Sequence, residues 1–393
     1  MKLKSVFFSS LFFHFFVTRW QHPLNTFAAV KSITVFLKKE MNKVFSFIAL
    51  AFLGCGSAAA QQVNVSNVQR PKLVVGIVVD QMRWDYLYRY QKRYGEGGFK
   101  RLLNEGFSCE NTRIPYVPSV TAIGHTCLYT GSVPSIHGIA GNNFVKNGKK
   151  VYCTDDETVK PVGSNSKAGL MSPRNLWVTT LGDEMKIASN GRAKVVGVAL
   201  KDRASILPAG HNPNGAYWFD DESGKFITSS YYMNQLPKWV DAFNNQHLPE
   251  RYLSEKWNTL YPKNTYIEST EDENEYEDGI RKGVKATLPL NLPALYKKYG
   301  YEIIRKTPFG NSLTIDLAKA AIDGEQLGAD DETDLLAVSC SSTDYIGHQV
   351  GTHAVETEDT YLRLDKAIAD FLSYLDEKVG KGNYLVFLSA DHG

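Results

Sequence analysis

The sequence predicts an α/β protein: a mainly parallel sheet sandwiched by helices, with a smaller cap inserted over about residues 209–305. Three observations carry this expectation. Four short runs rich in Val, Ile and Leu recur along the chain, each of strand length and each followed by polar or charged residues. Helical spacing fills the intervals between them, most clearly over Glu356–Val379. The stretch between the second and third runs breaks this alternation.

The elements follow in order. Leu73–Val79 is continuously apolar and β-branched, the mark of a strand buried on both faces, and Asp80 stands at its carboxyl end. A helical stretch runs through Tyr86–Tyr94 and Phe99–Asn104, closed by Gly106. Val195–Leu200 is the second strand, followed by Lys201, Asp202 and Arg203. Leu335–Cys340 is the third, followed by two serines, Thr343 and Asp344. Tyr384–Ser389 is the fourth, ended by Asp391 and His392. The helix between the last two places Leu362, Leu364, Ile368, Phe371 and Leu372 near helical spacing. Within the cap, Ala216–Thr228 reads as a hairpin about an Asp/Ser/Gly turn, and Glu271–Asp278 as a solvated acidic loop. Polar groups at the carboxyl ends of several parallel strands point to one site along that edge.

Composition narrows the class of protein. Of 393 residues 43% are hydrophobic and 22% charged, which excludes a mostly disordered chain and a multi-span membrane protein. The net charge of +2 hides an asymmetry: residues 1–40 carry six basic side chains against Glu40 alone, leaving 38 basic and 41 acidic residues in the rest. That balance, without a Lys/Arg tract, excludes a nucleic-acid partner.

Met41–Lys43, the ten-residue apolar stretch Val44–Leu53 and the small residues Gly54–Ala60 have the three-part layout of a secretory signal peptide cleaved after Ala60. A ten-residue stretch is too short to span a bilayer, which takes about 20. The expected location is therefore periplasmic or secreted, with no stable membrane insertion after cleavage. Residues 1–40 are expected to be an upstream extension outside the fold, and residues 61–393 to form the folded domain. Cys109, Cys127, Cys153 and Cys340 remain after cleavage, none in a CxxC pair, so a cysteine zinc site is not expected. An oxidising compartment permits one or two disulfides among them.

Asp80, Asp344, His348, Asp391 and His392 share a type and a placement. Carboxylate and imidazole together suit zinc, which takes O and N ligands. Asp344 and His348 are four apart, so one helical turn after a strand points both the same way. Asp391 and His392 offer two ligands where the chain turns. In Val117–Thr126, a Pro-Ser-Val-Thr sequence opens an apolar segment and reads as a helix start. The Thr121 hydroxyl there lies near free backbone N–H groups and the positive end of the helix dipole, which favour an alkoxide. Together these residues suggest an in-line phosphoryl displacement at two metal ions: Thr121 as nucleophile, with Asn142, Lys201 and Arg203 on the non-bridging oxygens. His125, His137 and His211 are placed in nearby loops, and Tyr129 and Tyr152 in the core. None of them is assigned a role.

The set resembles the alkaline phosphatase superfamily, in its type I phosphodiesterase/nucleotide pyrophosphatase branch. The likeness rests on Asp80 after its strand, the Pro-Ser-Val-Thr121 turn, the His137–Asn142 segment, Asp344 with His348, and the Ser-Ala-Asp391-His392-Gly end. Lys201-Asp-Arg203 is most similar to exported bacterial alkaline phosphatases that cleave monoesters with a threonine nucleophile. The resemblance implies an alkaline-phosphatase-like fold and two Zn2+ ions. Asp80, Asp391 and His392 would bind one zinc, with Thr121 as its fourth ligand and nucleophile. Asp344 and His348 would bind the second, Asn142 would touch a phosphate oxygen, and Lys201 and Arg203 would clamp the rest of a dianionic monoester. The implied substrates are small phosphate esters. In the family the second zinc takes a further His beyond the Asp-His-Gly motif, and this sequence ends at that motif, with Gly393. The expectation is a chain lacking its carboxyl-terminal end; His353, a solvated loop residue, is no substitute ligand. Two alternatives accompany the monoesterase reading: a phosphodiesterase or nucleotide pyrophosphatase, and an inactive truncated product that only binds metal or ligand. A sulfatase is disfavoured, because the Cys/Ser-x-Pro-x-Arg sequence is missing around Thr121.

Overall fold

The apolar runs become the centre of one sheet. In the computed structural model, which describes residues 70–281 and 283–393, the strands are β1 Leu73–Val79, β2 Asn143–Lys146, β3 Lys149–Tyr152, β4 Pro161–Val162, β5 Val195–Ala199, β6 Gly215–Asp220, β7 Lys225–Ser229, β8 Asp334–Cys340 and β9 Tyr384–Ser389. The expected signal peptide and upstream extension lie outside the described residues. Seven strands form the sheet in the order β4-β7-β6-β5-β8-β1-β9, while β2 and β3 pair separately. From β6 to β9 neighbouring strands are parallel, and β7 and β4 add an antiparallel edge.

Helices cover both faces, and the period-2 alternation of β1 shows it. Leu73, Val75, Ile77 and Val79 join the larger core with Ile315 and Leu317 of the helix Phe309–Glu325 and Ile368 and Phe371 of the helix Val355–Leu375. Val78 turns to the opposite face, where Tyr129 of the helix Thr121–Thr130 packs. This two-sided burial is why β1, β5 and β8 read as unbroken apolar runs. Gly76 marks the closest approach: a Cβ there would lie 2.2 Å from Tyr129 Oη and 2.4 Å from Phe387 Cζ.

Register aligns the strand ends. Val79 lies opposite Cys340, Ser339 opposite Ala199, and Val78 opposite Ser389. Residues that follow β5, β8, β1 and β9 therefore emerge side by side on one edge, as the sequence suggests.

Three expectations change. The helix over Tyr86–Tyr94 shortens to Tyr86–Arg89, because Gly95, Gly97 and Gly98 follow and Asp365 instead accepts from the backbone N–H groups of Gly95 and Phe99, both at 2.8 Å. The Ala216–Thr228 hairpin exists as β6 and β7 but belongs to the main sheet, with β6 parallel to β5. Its aromatic residues Tyr217, Trp218 and Phe219 are all buried, so no polar alternation set it apart from a hairpin in a cap. The rest of the 209–305 segment is likewise part of the main body. Trp257 is buried in the larger core and donates from Nε1 to Asp359 Oδ2 at 2.7 Å, and Gln69–Gly393 forms one compact unit. The acidic loop Glu271–Asp278 carries neither helix nor strand, though Asp272 is buried. Cys109, Cys127, Cys153 and Cys340 are all free thiols. Among the described residues no helix is long and apolar enough to cross a membrane.

Candidate active site

Four adjacent strands each deliver a group to one edge. Asp80 follows β1, Lys201 precedes the helix Asp202–Ala209 after β5, Asp344 lies in the first turn of the helix Ser342–Val350 after β8, and Asp391 and His392 follow β9. Thr121 opens its helix as expected, behind an extended Val120, and is buried.

Lys201 is the hub. Only 1% exposed, it donates from Nζ to Asp80 Oδ2 at 2.7 Å, to Asp344 Oδ2 at 2.6 Å and to Thr121 Oγ1 at 3.3 Å. His392 Nε2 completes the ring, 3.4 Å from Asp80 Oδ1, 3.6 Å from Asp391 Oδ2 and 3.8 Å from Asp344 Oδ1. The carboxylates dominate the field here. Burial opposes the charge of His392, yet Asp80, Asp391 and Asp344 outweigh it and carry the imidazole pKa up to about 9. Burial likewise pulls Lys201 down, and Asp80 and Asp344 more than restore it against the repulsion of Arg203. Burial pushes Asp391 up, but His125, His392 and Lys201 together hold it down at about 2. The site is a buried, strongly cation-seeking pocket.

The donor set fits a metal ion. One ligand atom from each of Asp80, Asp391 and His392 lies within 4.8 Å of the others. Asp80 Oδ1, Asp344 Oδ1 and Asp391 Oδ2 are buried without a hydrogen-bond partner, which is costly for a carboxylate and natural for a ligand. Two carboxylates and an imidazole are ordinary zinc donors. His348 Nε2 stands 3.2 Å from Asp344 Oδ1 on the expected helical turn, and its side chain is 64% exposed.

Asn142 and Arg203 sit differently. Asn142 Oδ1 accepts from Ala122 N at 2.9 Å, capping the Thr121 helix and leaving its amide nitrogen as the end that can donate to a substrate oxygen. Arg203 donates from Nη1 to Tyr152 Oη at 3.0 Å, while Tyr152 donates to Asp202 Oδ1 at 2.9 Å and the buried Arg203 Nε stays unpartnered. The structure thus gathers Asp80, Thr121, Lys201, Asp344, Asp391 and His392. It hangs His348 on Asp344, and it holds Arg203 through Tyr152.

Two residues escaped the sequence reading. His125 lies within the Thr121–Thr130 helix rather than in a loop and is wholly buried against Thr121 and Asp391. Its spacing of four from Thr121 on a segment already read as helical was the available signal. Arg305, half-buried at the end of the 209–305 segment, donates to Leu200 O at 2.9 Å and Phe219 O at 2.7 Å. No pattern in the sequence announces it.

Comparison with known proteins supplies the family and the fold. Alkaline phosphatase PafA of Elizabethkingia meningoseptica is 61% identical to the chain over 343 residues, covering 86% of this chain and 62% of that protein. Alkaline phosphatase PhoV of Synechococcus elongatus is 57% identical over 359 residues, covering 88% and 64%. The crystal structure of wild-type PafA superposes with a TM-score of 0.81 at 61% identity, covering 82% of this chain and 63% of that one. The chain therefore spans less than two thirds of the length of these relatives. The family model for type I phosphodiesterase / nucleotide pyrophosphatase matches residues 74–393, from β1 through Asp391 and His392, and the chain belongs to that family.

Proposed function

We propose that this chain carries the catalytic domain of an exported phosphomonoesterase that works through a covalent phosphothreonine on Thr121 with two zinc ions. The observation that carries the reading is the placement of Thr121 Oγ1: at a helix amino terminus, 3.3 Å from Lys201 Nζ, beside the Asp80, Asp391 and His392 donors. The relatives' names, both alkaline phosphatases, support it. Asp80, Asp391 and His392 would hold one zinc and Asp344 with His348 the other; bound there, zinc supplies Lewis-acid stabilisation of the attacking and leaving oxygens.

The chain's own groups do the rest. The helix amino terminus and the Lys201 ammonium both favour a deprotonated Thr121 oxygen. That oxygen forms its bond to phosphorus as the ester bond to the alcohol breaks. Water then cleaves the phosphothreonine, releasing inorganic phosphate and restoring the hydroxyl. Asn142 donates to a non-bridging oxygen, and Lys201 with Arg203 supplies the positive charge that suits a dianionic monoester. Small phosphate esters are the substrates. The three-part layout of residues 41–60 supports export.

Thr121→Ala tests the nucleophile: turnover of an aryl phosphate disappears while zinc stays bound, and phosphothreonine can no longer be trapped. Turnover near the parent rate would refute the assignment. A diesterase reading has one observation in its favour, since Lys201 is engaged with Asp80 and Asp344 rather than extended toward a substrate. Faster hydrolysis of a bis-aryl phosphate than of the aryl phosphate by the parent chain decides for it.

A further inference from the structure

We infer that Gly124 and His125 act as a positioning pair that locks the Thr121 nucleophile to the Asp391 carboxylate. The inference rests on reading Asp391 as a metal ligand and Thr121 as the nucleophile. These two residues come from distant parts of the chain, one from a helix start and one from the end of β9, yet in-line attack requires their relative position to be fixed to a fraction of an ångström.

Gly124 brings the two backbones together. A Cβ built at Gly124 would lie 2.3 Å from the carbonyl oxygen of Asp391 and 2.6 Å from its Cβ, so the helix rests directly on the ligand loop and any side chain would push them apart. His125 then ties the contact. Its Nδ1 is 2.9 Å from Thr121 O, and its Nε2 is 2.9 Å from Ser339 Oγ on β8. A carbonyl can only accept, so Nδ1 carries the proton and Nε2 accepts from the serine hydroxyl, an assignment made from the partners. The same N–H faces Asp391 Oδ2 at 3.1 Å. Asp391 Oδ1 is already held by the backbone N–H groups of Gln81 at 3.1 Å and His392 at 2.9 Å. The carboxylate is therefore oriented from both sides: the backbone fixes Oδ1, and His125 faces Oδ2, the oxygen offered to a metal.

His125 touches neither substrate nor metal and works through Asp391 and the Thr121 carbonyl. Groups that orient a metal ligand in this way are worth about 10–100-fold in metal affinity. A histidine that merely fills the core would move stability and leave the affinity of the folded protein alone.

Two near-isosteric variants separate these roles. The amide nitrogen of His125→Asn reaches where Nδ1 was, toward Thr121 O and Asp391. That of His125→Gln reaches where Nε2 was, toward Ser339. Zinc affinity of the full chain is measured by chelator competition, with thermal unfolding recorded alongside. The expected order is parent close to Asn, with Gln weaker by about 10-fold or more. In aryl phosphate turnover the Gln variant loses kcat with KM little changed. Equal zinc affinity in the two variants, or the reverse order, overturns the inference, whatever happens to the melting temperature. If His125→Gln fails to fold, Gly124→Ala takes its place, with the same loss of zinc affinity expected and parent-like affinity refuting. A parent chain that binds zinc but hydrolyses no aryl phosphate sets aside the proposed activity alone, and the Asn-over-Gln order still decides this inference. A parent that binds no zinc overturns both.

Discussion

Replacing Lys201 by methionine should unsettle the fold before it touches any chemistry. The ammonium is 1% exposed and bridges two carboxylates, Asp80 at 2.7 Å and Asp344 at 2.6 Å. Methionine keeps most of the volume and removes the charge, which leaves two buried acids facing each other. Deleting one partner of a buried ion pair costs about 3–5 kcal/mol. His392, 3.4 Å from Asp80 Oδ1 and 3.8 Å from Asp344 Oδ1, takes up part of the imbalance, so the lower end applies. For a domain of this size each kcal/mol moves the melting temperature by about 2 °C, which gives a fall of roughly 6 °C. The assay is thermal unfolding of zinc-stripped parent and variant, repeated after zinc is restored. Zinc brings positive charge to the same carboxylates, so it should narrow the gap between the two. A zinc-free melting temperature within about 2 °C of the parent would refute the account of Lys201 as the counter-ion of this cluster. So would a gap that zinc leaves unchanged.

Away from the site, Glu356 is fully buried; burial pushes its pKa up to about 9, opposed by its own backbone N–H and reinforced by the charges of Asp272 and Glu277. A raised carboxyl pKa means the folded state holds the proton. Stability is full below the ordinary carboxyl range and falls by up to about 1.4 kcal/mol per unit as pH rises toward 9. Glu356→Gln keeps the shape and removes the titration, so melting temperatures of parent and variant converge at pH 5 and separate at pH 8.5 in favour of the variant. Parallel pH profiles would contradict this. Gly76→Ala drives a methyl into Tyr129 Oη and Phe387 between β1 and β9, an overpacking worth about 1–3 kcal/mol, and a denaturant midpoint unchanged from the parent would show that the sheet yields there instead.

What the sequence disclosed depended on whether a residue's partner lay nearby in the chain or was implied by the fold class. Asp80, Asp344, Asp391 and His392 were legible because each closes an apolar run, and parallel strands end on a common edge. Thr121 was legible because a helix start has a local signature. The destination of Lys201 was not: its position after β5 is clear, but whether its long side chain runs outward to a substrate or inward to Asp80 and Asp344 depends on the register of three strands. The β6–β7 hairpin was read correctly as a hairpin and assigned to the wrong layer, since a fully buried aromatic strand carries no alternation to show what covers it.

Arg305 shows why the segment first read as a cap cannot be treated apart from the site. It lies at the end of that segment and anchors the carboxyl ends of β5 and β6 through Leu200 O and Phe219 O. Its guanidinium carbon sits 5.7 Å from the centre of the Tyr345 ring, and Lys201 Nζ sits 4.9 Å from that same centre. Tyr345 directly follows Asp344, so one aromatic ring is shared between Arg305 and the lysine that bridges the site carboxylates. A guanidinium with three anchored nitrogens is a poor candidate for exchange even to lysine, whose single ammonium cannot hold Leu200, Phe219 and Asp221 together. Residues 209–305 are therefore joined to the surroundings of Lys201 and Asp344 by direct contacts through Arg305 and Tyr345.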